Sequence, residues 1–121
     1  MSDVAAVLMA ERLRRQARLD GLRRDLAAIV AASDGSNADD EHDPEGATIA
    51  FERSQVIAQL AQARADVLEA DGALARVDAG SYGTCDVCGE PIAAQRLAAR
   101  PTTSLCIRCA GRGIDASSRR S

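Results

Sequence analysis

The stretch VIAQLAQARADVLEADGALARV, residues 56–77, decides the architecture. In it Val56, Leu60, Ala63, Val67, Ala70, Leu74 and Val77 recur at alternating steps of four and three. That spacing lines them along one helix face, three heptads of an a/d seam. Continued backwards, the same steps reach Arg53 and Ile49. The start of this helix is also marked. Asp43 suits the N-cap, Pro44 the first helical position, and Glu45 sets negative charge against the positive helix end. Gly80 follows the last periodic residue, where a glycine stop is expected. A helix over 44–79 follows.

Upstream, residues 3–32 are rich in helix formers and contain no proline. Leu19, Leu22, Leu26 and Ile29 recur at three, four and three, a second seam. Arg12 and Arg15 occupy the places where that stripe would continue, so it is expected only in the second half of the helix. Gly21 is a mild local cost. Between the two helices lies Ser33-Asp-Gly-Ser-Asn-Ala-Asp-Asp-Glu-His42, polar, acidic and without periodicity. It reads as a connection. Two long helices, a short connection and two different seams predict an intramolecular antiparallel hairpin and a monomer. A coiled-coil dimer between chains is the rival.

Composition agrees with a thin structure. Phe51 and Tyr82 are the only aromatic residues, and alanine makes up much of the apolar content. Rings supply much of the buried area in a small core, so helix-on-helix packing suits these residues better than a thick globule. Every basic residue is arginine and the formal charge is −3. Four thiolates around one dication would make it more negative. Such a chain is poorly suited to DNA, whose non-specific binding rests on neutralising phosphates. No secretory signal is visible, because the apolar run from Val4 to Ala10 leads straight into Glu11-Arg12. No stretch is long enough to span a bilayer. A cytoplasmic location is expected, and there paired cysteines favour metal over disulfides.

The four cysteines stand as Cys85-Asp-Val-Cys88, a 17-residue spacer, and Cys106-Ile-Arg-Cys109. Each Cys-x-x-Cys turn presents two sulfurs to one ion, and two turns complete a tetrahedron. Gly83 and Gly89 flank the first pair and can supply the backbone angles such turns demand. With four thiolates the site is closed and structural, holding one Zn2+. Two disulfides, or a redox-active pair, are the competing reading. The expected organisation is mostly α: a long antiparallel two-helix coiled-coil hairpin over 1–80 (helices about 3–32 and 44–79, acidic tip 33–43). A C-terminal four-cysteine zinc finger over 81–112 and a disordered tail over 113–121 complete it.

Several further residues join the cysteines in a specific pattern. They are the junction Gly80, Tyr82 and Gly83, the Gly89-Glu90-Pro91-Ile92 run, and Arg96-Leu97 followed by Arg100-Pro101. Together they resemble the DksA/TraR zinc-finger family over roughly residues 39–110. The resemblance implies a bacterial transcription regulator that binds RNA polymerase directly and reads no DNA sequence. Its hairpin would enter the secondary channel and bring acidic residues near the active centre, altering initiation at particular promoters, often together with ppGpp. The implied contact tip here is Asp39, Asp40, Glu41, Asp43 and Glu45. Asp40 and Asp43 match both aspartates of the family's Asp-x-x-Asp-x-Ala motif, with Glu45 in place of the alanine. Aligned on Asp43-Pro44 instead, Gly46 replaces the second aspartate and Thr48 the alanine.

Each of these residues also has a plainer explanation. Asp43 is a sufficient N-cap, and the other tip acids could form a solvated loop; His42 is a loop residue. Six arginines between Arg12 and Arg24 could form local ion pairs with Glu11, Asp20 and Asp25. As docking or ppGpp contacts the candidates are Arg12, Arg15, Arg18, Arg96 and Arg100, since guanidinium forks suit carboxylates and phosphates. Arg96 and Arg100 could equally brace the finger against the hairpin. A zinc ribbon that binds nucleic acid or another protein is the alternative function, weakened by the acidic balance and the scarcity of stacking rings. No enzyme is expected, because His42 is the only histidine and the thiols are occupied.

Overall fold

In the computed structural model the described residues are 2–34 and 44–113, with only the backbone described for Ser2, Asp34, Pro44 and Glu45. Among them the secondary structure is α1 (Ser2–Asp34), α2 (Pro44–Ala79), α3 (Ala94–Ala99) and α4 (Ile107–Gly111). One isolated antiparallel bridge pairs Thr84 with Pro91. The fold is mostly helical, with two long helices and a C-terminal four-cysteine finger. Against the expected end near 32, α1 runs on through Ser33 and Asp34. The first strong helix breaker in that region is Gly35. The connection over 35–43 and the residues beyond Gly113 lie outside the described residues. No helix among the described residues is long and apolar enough to cross a membrane.

By its internal contacts the chain forms two compact units, Leu13–Val67, and Met1–Arg12 together with Leu68–Ser121. In Leu13–Val67 the two seams meet. Leu19 and Leu22 of α1 pack with Leu60, Ala63 and Val67 of α2, flanked by Leu26 and Val56. Apart from Leu60 the buried α2 side chains of this cluster are small, alanine and valine, and no aromatic ring fills it. Arg15, on the seam line, donates from Nη1 to the Asp66 carbonyl oxygen at 2.7 Å. On the flanks, Gln16 bonds Asp20 and Gln62 bonds Asp66, each one helical turn apart.

In the other unit the stripe of α1 resumes. Leu8 is fully buried, and it lies at the same alternating steps of four and three that pass through Arg12 and Arg15. The expectation that the stripe holds only in the second half of α1 is therefore corrected. Arg12 fills a seam place by bonding Asp71 through Nε. Both side chains of that pair remain over a third exposed, so it orients the helices more than it stabilises them.

Near its end α2 has a second buried face. Ala70 and Ala73 are both fully buried, whereas Leu74 of the seam is only half-buried. Ala73 lies on one face with Glu69 and Arg76, at i, i+4 and i+7, and both of those residues bond to Thr102 of the finger. The helix then stops at Gly80, whose φ of +79° suits glycine. The Gly80 N–H bonds the Val77 oxygen at 3.2 Å and the Ser81 N–H bonds the Arg76 oxygen at 2.9 Å. These are the two bonds of a Schellman stop.

The seam predicts its own sensitivity. Leu60→Ala removes the largest α2 side chain of the seam cluster and should cost about 2–4 kcal/mol in urea unfolding of the zinc-loaded protein. Leu68→Ala, at a residue 68% exposed, should stay within about 0.5 kcal/mol of the parent.

Candidate metal centre

The finger is built from two turns that each deliver a pair of sulfurs. In the first, the Cys85 N–H bonds the Glu90 oxygen at 2.8 Å and the Gly89 N–H returns to the Cys85 oxygen at 3.0 Å. The Ile92 N–H bonds the Gly83 oxygen at 2.8 Å and closes the loop behind it. Gly83 and Gly89 both have positive φ, +88° and +75°, which a side chain would disfavour. In the second turn, Cys106 is the N-cap of α4 in extended conformation and Cys109 lies within that helix. The Ala110 N–H bonds the Cys106 oxygen at 3.0 Å, which starts the helix and brings the two sulfurs to one side.

All four Sγ atoms lie within 4.8 Å of one another, and those of Cys88 and Cys106 are 3.7 Å apart. A tetrahedron with zinc–sulfur bonds of about 2.3 Å has edges of about 3.8 Å. A disulfide needs about 2 Å, and all four thiols are free. The geometry favours the ion over the disulfide reading. Cys88 is exposed, whereas Cys85, Cys106 and Cys109 are buried and pack with Ile92, flanked by Val87, Leu97 and Leu105.

Electrostatics point the same way. Burial pushes the Cys85 thiol up, but the backbone N–H groups of Cys88, Cys106 and Val87 outweigh it and bring it down to about 6. At Cys106 the Cys109 N–H is the leading influence and lowers the thiol against burial. Cys109 goes to about 12, first through burial and then through the sulfurs of Cys106, Cys85 and Cys88. The protein has thus arranged N–H dipoles for thiolates in a cluster too crowded to ionise fully alone. A soft dication resolves that conflict. The site takes one structural zinc ion, bound when present as a closed four-thiolate centre that supplies folding energy rather than reactivity.

The other sequence candidates are scattered. Arg12 and Arg15 sit in the helix seam with the partners described above. Arg18 is exposed on α1. Arg96 braces the finger internally, donating from Nε to the Leu105 oxygen at 2.8 Å and from Nη2 to Thr103 Oγ1 at 3.4 Å. The Arg100 side chain is exposed, and its N–H bonds the Arg96 oxygen at the end of α3. Asp39, Asp40, Glu41 and Asp43 lie outside the described residues, and of Glu45 only the helical backbone is described. Sequence reasoning missed Glu69, Arg76 and Thr102, which join the finger to α2. The available signal was the i, i+4, i+7 spacing of Glu69, Ala73 and Arg76 beside the main seam.

Residues 80–112 match the family described as prokaryotic dksA/traR C4-type zinc finger. The chain carries a DksA/TraR-type finger. Curated relatives agree. The RNA polymerase-binding transcription factor DksA of Haemophilus influenzae is 49% identical over 39 residues, 32% of this chain and 27% of the relative. The protein of the same name from Caulobacter vibrioides is 54% identical over 37 residues, 31% of this chain and 26% of the relative. The match therefore spans only about a quarter of each relative's length. The likeness of fold is broader. The solved structure of transcription factor DksA2 from Pseudomonas aeruginosa superposes with a TM-score of 0.76, at 27% identity, over 99% of this chain and 85% of that one. Finger, relatives and fold together support the DksA/TraR family.

Zinc competes with protons for the thiolates, and this sets the sign of the pH effect. A thiol held below its ordinary value stabilises the metal-free fold above that value, and the contribution is lost as pH falls through the lowered one. The zinc affinity read by chelator competition should therefore fall more steeply with falling pH below about 6, where Cys85 of the metal-free finger also takes up a proton. An affinity unchanged from neutral pH down to about pH 4 would contradict this account.

Proposed function

We propose that this protein is a non-enzymatic transcription factor that binds bacterial RNA polymerase. The observation that carries the reading is the likeness to DksA2 along 99% of this chain, helices and finger together. A finger alone could serve many partners, but this pairing with two long helices is what the chain shares with a transcription factor. The names of the Haemophilus and Caulobacter relatives supply the partner.

In this reading the hairpin, residues 1–80, enters the secondary channel and the finger, residues 81–112, rests outside as its base. The acids Asp39, Asp40, Glu41, Asp43 and Glu45 approach the active centre and modulate initiation by their charge. Exposed Arg18 and Arg100 contribute to docking or to a ppGpp site, while Arg12, Arg15 and Arg96 act through the positions they hold. The protein works as a cytoplasmic monomer.

The test is binding of the zinc-loaded protein to purified bacterial RNA polymerase core, with and without a known occupant of the secondary channel. Tight binding that the occupant displaces is expected; absence of binding at micromolar concentration would refute the reading. Asp40→Asn with Asp43→Asn should abolish the effect on promoter open complexes while leaving affinity within about threefold, less than 1 kcal/mol. Equal loss of binding would show that the tip docks rather than modulates.

A further inference from the structure

The segment Pro101–Leu105, which leads into the ligand Cys106, has five consecutive carbonyl oxygens held from both sides. The Tyr82 hydroxyl donates to the Pro101 oxygen at 2.8 Å. Arg76 Nη2 donates to the oxygens of Thr102 and Thr103, at 3.0 and 3.4 Å. The Asp86 N–H, inside the first cysteine turn, donates to the Ser104 oxygen at 2.9 Å. Arg96 Nε donates to the Leu105 oxygen at 2.8 Å. In addition the Thr102 hydroxyl donates to Glu69 Oε1, and Thr102 is the buried polar residue of the described chain, 2% exposed.

The first three carbonyls and the Thr102 hydroxyl face groups of α2 and its exit, whereas the last two face the finger itself. An irregular segment has no ladder of its own, so these bonds are what orders it. Asp86 lies between two ligands and Leu105 precedes a third, so an ion bound by them would order one end. Glu69 and Arg76 order the other. Each end can lock only if the intervening five residues hold one conformation.

We propose that Pro101–Leu105 is a metal-operated latch. Zinc occupancy locks the segment onto Glu69 and Arg76 and so holds the last turns of α2. By reciprocity Glu69, Arg76 and Thr102 raise zinc affinity without touching the ion. They are positioning residues for the metal centre. The latch lies within one compact unit and is independent of which partner the protein binds.

Reciprocity gives the test two readouts. Zinc affinity is measured by chelator competition for the parent, Arg76→Met and Thr102→Val, with Leu60→Ala as a variant that weakens the helix seam but leaves the latch intact. Both latch variants should bind zinc about tenfold more weakly, and Leu60→Ala should stay within about twofold. Hydrogen exchange is then compared between the zinc-loaded and zinc-stripped parent. Stripping should speed exchange over residues 69–79 and leave 56–63 unchanged. Parental zinc affinity in both latch variants, or unaltered exchange over 69–79, would overturn the proposal.

Discussion

The structure depends on how little the two long helices have to bury. A single stripe of leucine, valine and alanine joins them in the unit Leu13–Val67, and neither aromatic residue belongs to it. Buried area, and with it hydrophobic stabilisation, is limited by such small side chains. Ala63, almost fully buried, is the smallest side chain in that stripe. A thin interface of this kind specifies register well, because shifting it would place arginine against leucine.

The arginines on the seam line show how polar positions can be absorbed. Arg15 finds a backbone carbonyl at Asp66 and Arg12 finds the carboxylate of Asp71. The long aliphatic stems of arginine can cover apolar surface while their heads reach polar partners at the edge. A seam with such residues stays half-open to water there, and the apolar stripe closes again at Leu8.

In the finger the constraint is different in kind. Apolar packing there is slight, and order comes from four sulfurs that crowd together and from backbone groups aimed at them. Lowered Cys85 and raised Cys109 express one conflict, stabilisation of individual thiolates against the repulsion of a cluster. A dication bound by the four sulfurs would remove that repulsion.

Much of this was legible in the residues alone. The 4–3 spacing of α2 and the glycine stop at Gly80 are local signals, set by helix geometry within a few residues. The cysteine ligands are equally local, because each Cys-x-x-Cys turn presents its own two sulfurs. Tertiary structure decided what those signals do not encode. Whether Arg12 and Arg15 end a stripe or complete it depended on Asp71 and the Asp66 carbonyl, more than fifty residues away. The second face of α2, Glu69 with Ala73 and Arg76, acquired meaning only when Thr102 arrived against it. The carbonyls of Pro101–Leu105 were invisible in principle, because every residue carries the same backbone oxygen. Only the folded chain determines which of them meets a donor.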